Sequence, residues 1–248
     1  MHTGLFAENP KGSSMDLRVA KQREMNRRDL ENFYLKNCDG KPSLFEIWED
    51  GGARGDSVTP STYCPEYRSW MRDKLAAELR RTGGPLLSIG CGNAAVEAEL
   101  VHQGFSVLAV DALAEAVSSA RRKGVDALCA DIYQWEPERT WPVVYMDGVL
   151  GHLYDQHHGL HPALQRVRSL MAPAPGGAAL ISSNDSTKNG RSVEKAPGVD
   201  GFFWLSASYL RAQALQSGFS ESWTEEYRYQ RPLSGERVRA VMVAHVTG

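Results

Sequence analysis

Nothing in the chain approaches the roughly 20 consecutive apolar residues of a bilayer span. Met1 to Ser14 carries no apolar segment of the kind a secretory signal needs. Neither charge sign dominates: 28 Lys and Arg stand against 30 Asp and Glu, so no global field draws the chain to nucleic acid or an anionic membrane. The four cysteines (Cys38, Cys64, Cys91, Cys129) form no C-x-x-C pair. That spacing suggests neither a zinc site nor a disulfide framework, and it suits a reducing compartment. A P-loop is absent, and so are internal repeats and low-complexity tracts. These absences predict a cytoplasmic globular protein with no membrane partner.

What is present begins at Leu86-Leu87-Ser88-Ile89, followed by Gly90-Cys91-Gly92-Asn93-Ala94. This reads as a buried strand, a glycine turn and the opening of a helix. Asp111 closes the next apolar run, one βαβ unit further on. Doubly wound α/β proteins hold adenosine-bearing ligands with this order of parts. A dinucleotide-binding turn would want a third glycine, G-x-G-x-x-G, which Ala95 interrupts.

The pattern around this unit divides the chain into three. Residues 1–14 are small and polar and read as a loose arm. Residues 15–82 read as a helical segment that covers a site. Within it, 15–37 is an amphipathic helix carrying Leu17, Met25, Leu30, Phe33 and Tyr34, and 65–81 is a second helix closed by Gly83-Gly84. Between them, 40–60 reads as loop interrupted by the apolar patch 44–48. Residues 83–248 alternate. Strands are expected at 85–90, 106–111, 126–130, 142–147 and 178–183, with helices at 93–103, 113–123, 159–171 and 206–217. Segment 186–201 reads as a basic, glycine-bearing mobile loop. The last runs, 220–230 and 236–246, flank Arg231-Pro232-Leu233-Ser234-Gly235, a hairpin turn that makes the final pair antiparallel.

This order of strands and acids resembles the class I S-adenosylmethionine-dependent methyltransferases, over roughly residues 84–246. Their turn is usually acid-x-G-x-G-x-G. Here Ser88 stands in the acid's place and Ala94 in that of the third glycine, at little cost if its φ is negative. The resemblance implies a Rossmann-like, seven-stranded, mostly parallel sheet with an antiparallel C-terminal hairpin, helices on both faces and an N-terminal helical lid. It implies S-adenosylmethionine as methyl donor and S-adenosylhomocysteine as product. Gly90, Cys91 and Gly92 would form the donor turn, Asp111 and Ala112 would meet the ribose, and Asp131 and Ile132 the adenine. Asp147 would face the methyl group, and Tyr63 and Arg68 would reach the donor from the lid.

Acceptor chemistry is expected after the fourth strand. Asp147-Gly148-Val149-Leu150-Gly151-His152-Leu153 resembles the matching stretch of small-molecule N-methyltransferases. His152 is the expected base or orienting group, with Asp147 and Tyr154 as further catalytic candidates. The alternative reading of His152 is a strand cap. Tyr34, Trp48, Tyr67, Asn184 and Asp185 are expected to line the acceptor pocket. Asp155, His157, His158 and His161 lie close in sequence, but adjacent histidines on one loop seldom converge, and no metal is expected. The reading is methyl transfer to nitrogen on a small-molecule acceptor, by a monomer or homodimer that binds no nucleic acid. An O-methyltransferase, a protein or RNA methylase and a non-catalytic binder are the rivals.

Overall fold

The computed structural model describes residues 28–35, 42–172 and 176–247. The 1–14 arm and the 15–27 part of the first expected helix lie outside them, with the basic residues Lys21, Arg23 and Arg27. Helix α1 covers residues 28–35, followed by α2 (Leu44–Glu49), α3 (Pro60–Tyr63) and α4 (Pro65–Thr82). The alternating part runs β1 (Leu86–Ile89), α5 (Ala95–His102), β2 (Val107–Asp111), α6 (Ala114–Arg122), β3 (Asp126–Cys129), β4 (Val143–Asp147), α7 (Leu150–Leu153) and α8 (His161–Ser169). It continues through β5 (Ala178–Asp185), β6 (Val193–Lys195), β7 (Phe203–Leu205), α9 (Ala207–Gln216), β8 (Glu221–Arg231) and β9 (Gly235–Val246).

Seven strands form one sheet in the order β3-β2-β1-β4-β5-β9-β8. The first five are parallel, and β9 joins β5 antiparallel, with β8 outside it. The central strands are apolar because both faces are covered. Alternate residues serve opposite layers. Leu87, Val144 and Leu180 pack with Leu164, Val167 and Leu210 of α8 and α9. Leu86, Val143 and Ile181 pack with Met71, Leu75 and Leu79 of α4. The chain winds outward from β1 to β3, then returns to start β4 on the other side of β1. A crevice therefore opens at the carboxyl ends of β1 and β4, where ligands collect in such sheets.

Three segments differ from the sequence reading. The 44–48 patch is helical: Ser43 Oγ accepts from the Glu46 N–H at 3.2 Å, and Glu46 Oε2 accepts from the Ser43 N–H at 2.7 Å. Its Leu44, Phe45 and Trp48 are buried with Leu113 and Ala116. Segment 186–201 is not all loop, since Val193–Lys195 pairs antiparallel with Phe203–Leu205. Ala94 does not keep a negative φ. It sits at φ +50, a conformation that costs a residue with a Cβ about 1–2 kcal/mol. Its methyl is buried in the α4 and α5 layer, which offsets part of that cost.

The two-strand flap is seated on α7 through Gly151. A Cβ there would lie inside van der Waals contact of the Phe203 carbonyl oxygen and the Phe202 ring. Backbone cannot yield as a flexible side chain does. Gly151→Ala should cost about 1–3 kcal/mol. The loss would be read as a lower thermal midpoint and faster hydrogen exchange across 193–205; an unchanged midpoint would contradict this packing.

Candidate active site at the carboxyl strand ends

A cavity of about 1060 Å³ lies over the crevice, large enough for two small ligands together. Its floor crosses four strands. Asp131 follows β3, Asp111 ends β2, Gly90 to Gly92 follow β1, and Asp147 ends β4; all line the cavity. With strands about 4.8 Å apart the floor is roughly 14 Å long. Gly90 turns at φ +68 and Gly92 at φ +52. Gly90 also lies against Val149, where a Cβ would collide. Asp111 accepts from the N–H of Gly92 at 3.0 Å and of Leu113 at 2.9 Å. Burial raises its pKa, and those backbone donors pull part of the way back. Asp131 accepts from the Tyr133 N–H at 2.9 Å. Cys91, Ala112 and Ile132 line the same floor.

At the β4 end a buried network replaces open carboxylates. Arg239, on β9, pairs with Asp147, donates to Ser183 Oγ at 2.9 Å and lies 3.6 Å from Asp185. The Tyr67 hydroxyl lies 3.2 Å from Asp147 and 2.7 Å from Ser183 Oγ, and Tyr145 donates to the other oxygen of Asp147 at 3.2 Å. Asp185 pairs with Arg231 and accepts from the Tyr229 hydroxyl at 3.0 Å. Burial works against the Arg239 charge, but Asp147 and its neighbours outweigh it and raise its pKa. Burial, then the charge on Asp147, drives the Tyr67 and Tyr145 hydroxyls well above their ordinary range.

The opposite wall is aromatic. Tyr34 stacks on Phe45, ring centres 5.3 Å apart, and meets Trp48 edge-on at 5.6 Å. Its hydroxyl lies 3.0 Å from His152 Nε2. The His152 ring sits 4.4 Å from that of Phe202. Burial lowers the His152 pKa to about 4, so the ring is neutral near pH 7.

The structure thus brings Gly90, Cys91, Gly92, Asp111, Ala112, Asp131, Ile132, Asp147, His152, Tyr34, Trp48 and Asp185 to one cavity. Five candidates stand away from its lining. Tyr67 reaches it only through Asp147. Asn184 is spent inside the fold, accepting from the Gly151 N–H at 3.2 Å. Tyr154 packs on Phe203 and Tyr209. Arg68 is held by Glu99 at 2.6 Å and the Ser61 carbonyl at 3.0 Å, and Tyr63 closes α3. Among the described residues no His, Cys, Asp and Glu group is placed to hold a metal; His158 bonds Asp155 and His161 bonds Ser217. Sequence reasoning missed Arg231, Arg239 and Glu97. Arg231 falls in the segment read as the hairpin turn, Arg239 in one read only as a strand, and Glu97 in one read only as a helix.

A sequence profile described as "Methyltransferase domain" matches residues 66–232. The tabtoxin biosynthesis enzyme of Pseudomonas amygdali pv. tabaci is 42% identical over 225 residues, covering 88% of each chain. Among solved structures, the 1,6-didemethyltoxoflavin-N1-methyltransferase of Burkholderia thailandensis, with S-adenosylhomocysteine bound, is similar with a TM-score of 0.61 and 18% identity, over 98% of this chain and 94% of that one. The magnesium protoporphyrin IX methyltransferase of Synechocystis PCC 6803 has a TM-score of 0.59 at 16% identity, over 89% and 97% respectively. At these identities the structural likeness is one of fold.

Removing Arg239 would leave Asp147 and Asp185 buried together with much of their countercharge gone. Arg239→Met should therefore destabilise the fold by about 3–5 kcal/mol, measured by urea unfolding. A change below 1 kcal/mol would show that the network does not hold the sheet end.

Proposed function

The chain belongs to the methyltransferase domain family and is a class I S-adenosylmethionine-dependent methyltransferase; we propose that it methylates a nitrogen of a small molecule in metabolite biosynthesis. The residues present fit the donor. Asp111 is anchored by two backbone donors and lines the cavity, as suits an acceptor of ribose hydroxyl bonds. Asp131 and Ile132 lie at the far end of the floor for the adenine, and the glycine turn lines the floor as well. When bound, S-adenosylmethionine supplies an electrophilic methyl carbon on a sulfonium.

The small-molecule reading is carried by one observation: a single walled cavity joins the Asp111 floor to Asp147, Tyr34 and His152. A polymer substrate would want a groove lined by free cations. Arg54, Arg231 and Arg239 line this cavity, each turned to a protein partner, and the remaining Lys or Arg of the lining, Lys188, holds its ammonium over the Trp204 ring. The biosynthetic role of the 42% identical relative supports the same reading.

The electrostatics narrow the nitrogen. Passing a proton from an alkylammonium of pKa about 10.4 to an imidazole of pKa about 4 would cost roughly 9 kcal/mol. Asp147 is already committed to Arg239. His152 therefore orients rather than deprotonates. With Tyr34 it holds a nitrogen that enters uncharged, as ring and aryl nitrogens do near pH 7. The chain's work is then positioning and exclusion of water by Phe45, Trp48 and Phe202.

Calorimetric titration with S-adenosylhomocysteine should show micromolar binding that Asp111→Ala weakens 10- to 100-fold, the worth of hydrogen bonds to a charged group. Labelled methyl transfer to a panel of heteroaromatic amines, alkylamines and phenols should then favour the first group. Uptake by phenols alone would replace nitrogen with oxygen. His152→Gln should retain activity within about tenfold, whereas a general base contributes about 10²–10⁴. The low His152 pKa also has a stability sign. The unfolded chain takes that proton first, at about pH 6.5. As pH falls from 6.5 toward 4, the native protein should therefore lose up to about 3 kcal/mol relative to His152→Gln. Parallel unfolding curves would contradict a buried neutral ring.

A further inference from the structure

Ser88 is almost wholly buried on β1, at the place where the family's turn usually begins with an acid. The structure supplies an acid there from another element. Glu97, in the first turn of α5, returns its carboxylate to β1 and accepts from Ser88 Oγ at 2.5 Å. Its residue is only 3% exposed, yet it lines the cavity beside the glycine turn.

What sets Glu97 apart is its partner list. The other buried carboxylates of the site are satisfied by the protein, Asp147 and Asp185 by arginines and Asp111 by backbone N–H groups. Glu97 forms no ion pair with any Lys, Arg or His among the described residues, and its one side-chain bond is to Ser88. A dry carboxylate without a cation is costly, and such groups are paired or neutralised. The cavity it lines is where a counterion can arrive.

We propose that Glu97, positioned by Ser88, is the anionic anchor for the α-ammonium of the donor's amino-acid end, in place of the acid missing from β1. This rests on the donor reading above. The geometry agrees with it: Asp111 and Asp131 hold the β2 and β3 end of the floor, and Glu97 stands beyond the glycine turn at the β1 and β4 end. The first turn of α5 also favours negative charge. Burial lifts the carboxyl to about 7, against the Ser88 bond, so near neutral pH it is divided between its two forms and an arriving cation favours the charged one. The charged or titratable groups that act on it are Cys91 of the turn, Lys123 beyond α6, and Tyr145 and Asp147 of β4.

The test compares two ligands that differ at that end. S-adenosylhomocysteine carries the ammonium; 5′-methylthioadenosine keeps the adenosine and thioether but lacks the amino-acid portion. Glu97→Gln should weaken S-adenosylhomocysteine at least tenfold while changing 5′-methylthioadenosine less than twofold. The second ligand thus also reports that the variant is folded. In the native protein, S-adenosylhomocysteine affinity should rise as pH passes upward through 7, a slope absent in Glu97→Gln. The double variant Ser88→Asp with Glu97→Ala should recover part of the lost affinity by restoring an acid on β1. Unchanged S-adenosylhomocysteine affinity in Glu97→Gln, or equal loss of both ligands, would overturn the anchor. Failure of the native protein to bind either ligand would overturn the donor site itself.

Discussion

The buried guanidinium of Arg239 is the point on which the site end of the molecule depends. Three strands meet there: Asp147 ends β4, Ser183 and Asp185 end β5, and Arg239 itself lies on β9 opposite Asp185. Through Tyr67 the network also reaches α4. A parallel sheet and an antiparallel hairpin have no reason of propensity to stop at the same height. A charge that needs partners from both gives them one. Replacing such a network with apolar residues often costs little stability, so its value here lies in register and in fixing where Asp147 points.

That role explains what was legible in the sequence and what was not. The central strands could be read because burial on two faces leaves long apolar runs, as in Val107-Leu108-Ala109-Val110 and Val143-Val144-Tyr145-Met146. The glycine turn could be read because positive φ at Gly90 and Gly92 restricts the residue type. The capping box Ser43-Leu44-Phe45-Glu46 went unread, because six residues of helix give too little periodicity to set against a loop. Strands of three residues, as in β6 and β7, leave no pattern at all. The polar network was invisible for another reason. An arginine on a strand reads as an outward residue until the fold places Asp147 and Asp185 beside it.

The misplaced site candidates share a physical cause. Asn184 and Asp185 are adjacent at the end of β5, and a strand sends neighbours to opposite faces. One therefore lines the cavity while the other accepts from Gly151 in the fold interior. Tyr154 and His152 sit two residues apart around α7, and only His152 meets Tyr34. Arg68 is held by an acid of the fold, Glu99 on α5. In each case side-chain direction, which residue type and chain position do not fix, decided whether the residue reached the cavity.

The cavity sorts its carboxylates by what neutralises them, and this bears on its chemistry. Arginines hold Asp147 and Asp185, so neither gains from binding a second cation. Backbone N–H groups hold Asp111, which leaves it an acceptor for hydroxyl groups. Among the described residues Glu97 has no cation, and its side-chain partner is Ser88. A cationic acceptor would thus find its best counterion at the donor's end of the floor, away from His152 and Tyr34. At the aromatic wall the His152 imidazole is neutral and stays so down to about pH 4. An acceptor stripped of water there gains by being uncharged when it arrives, because the wall supplies shape and two hydrogen-bonding groups but no charge to offset its own.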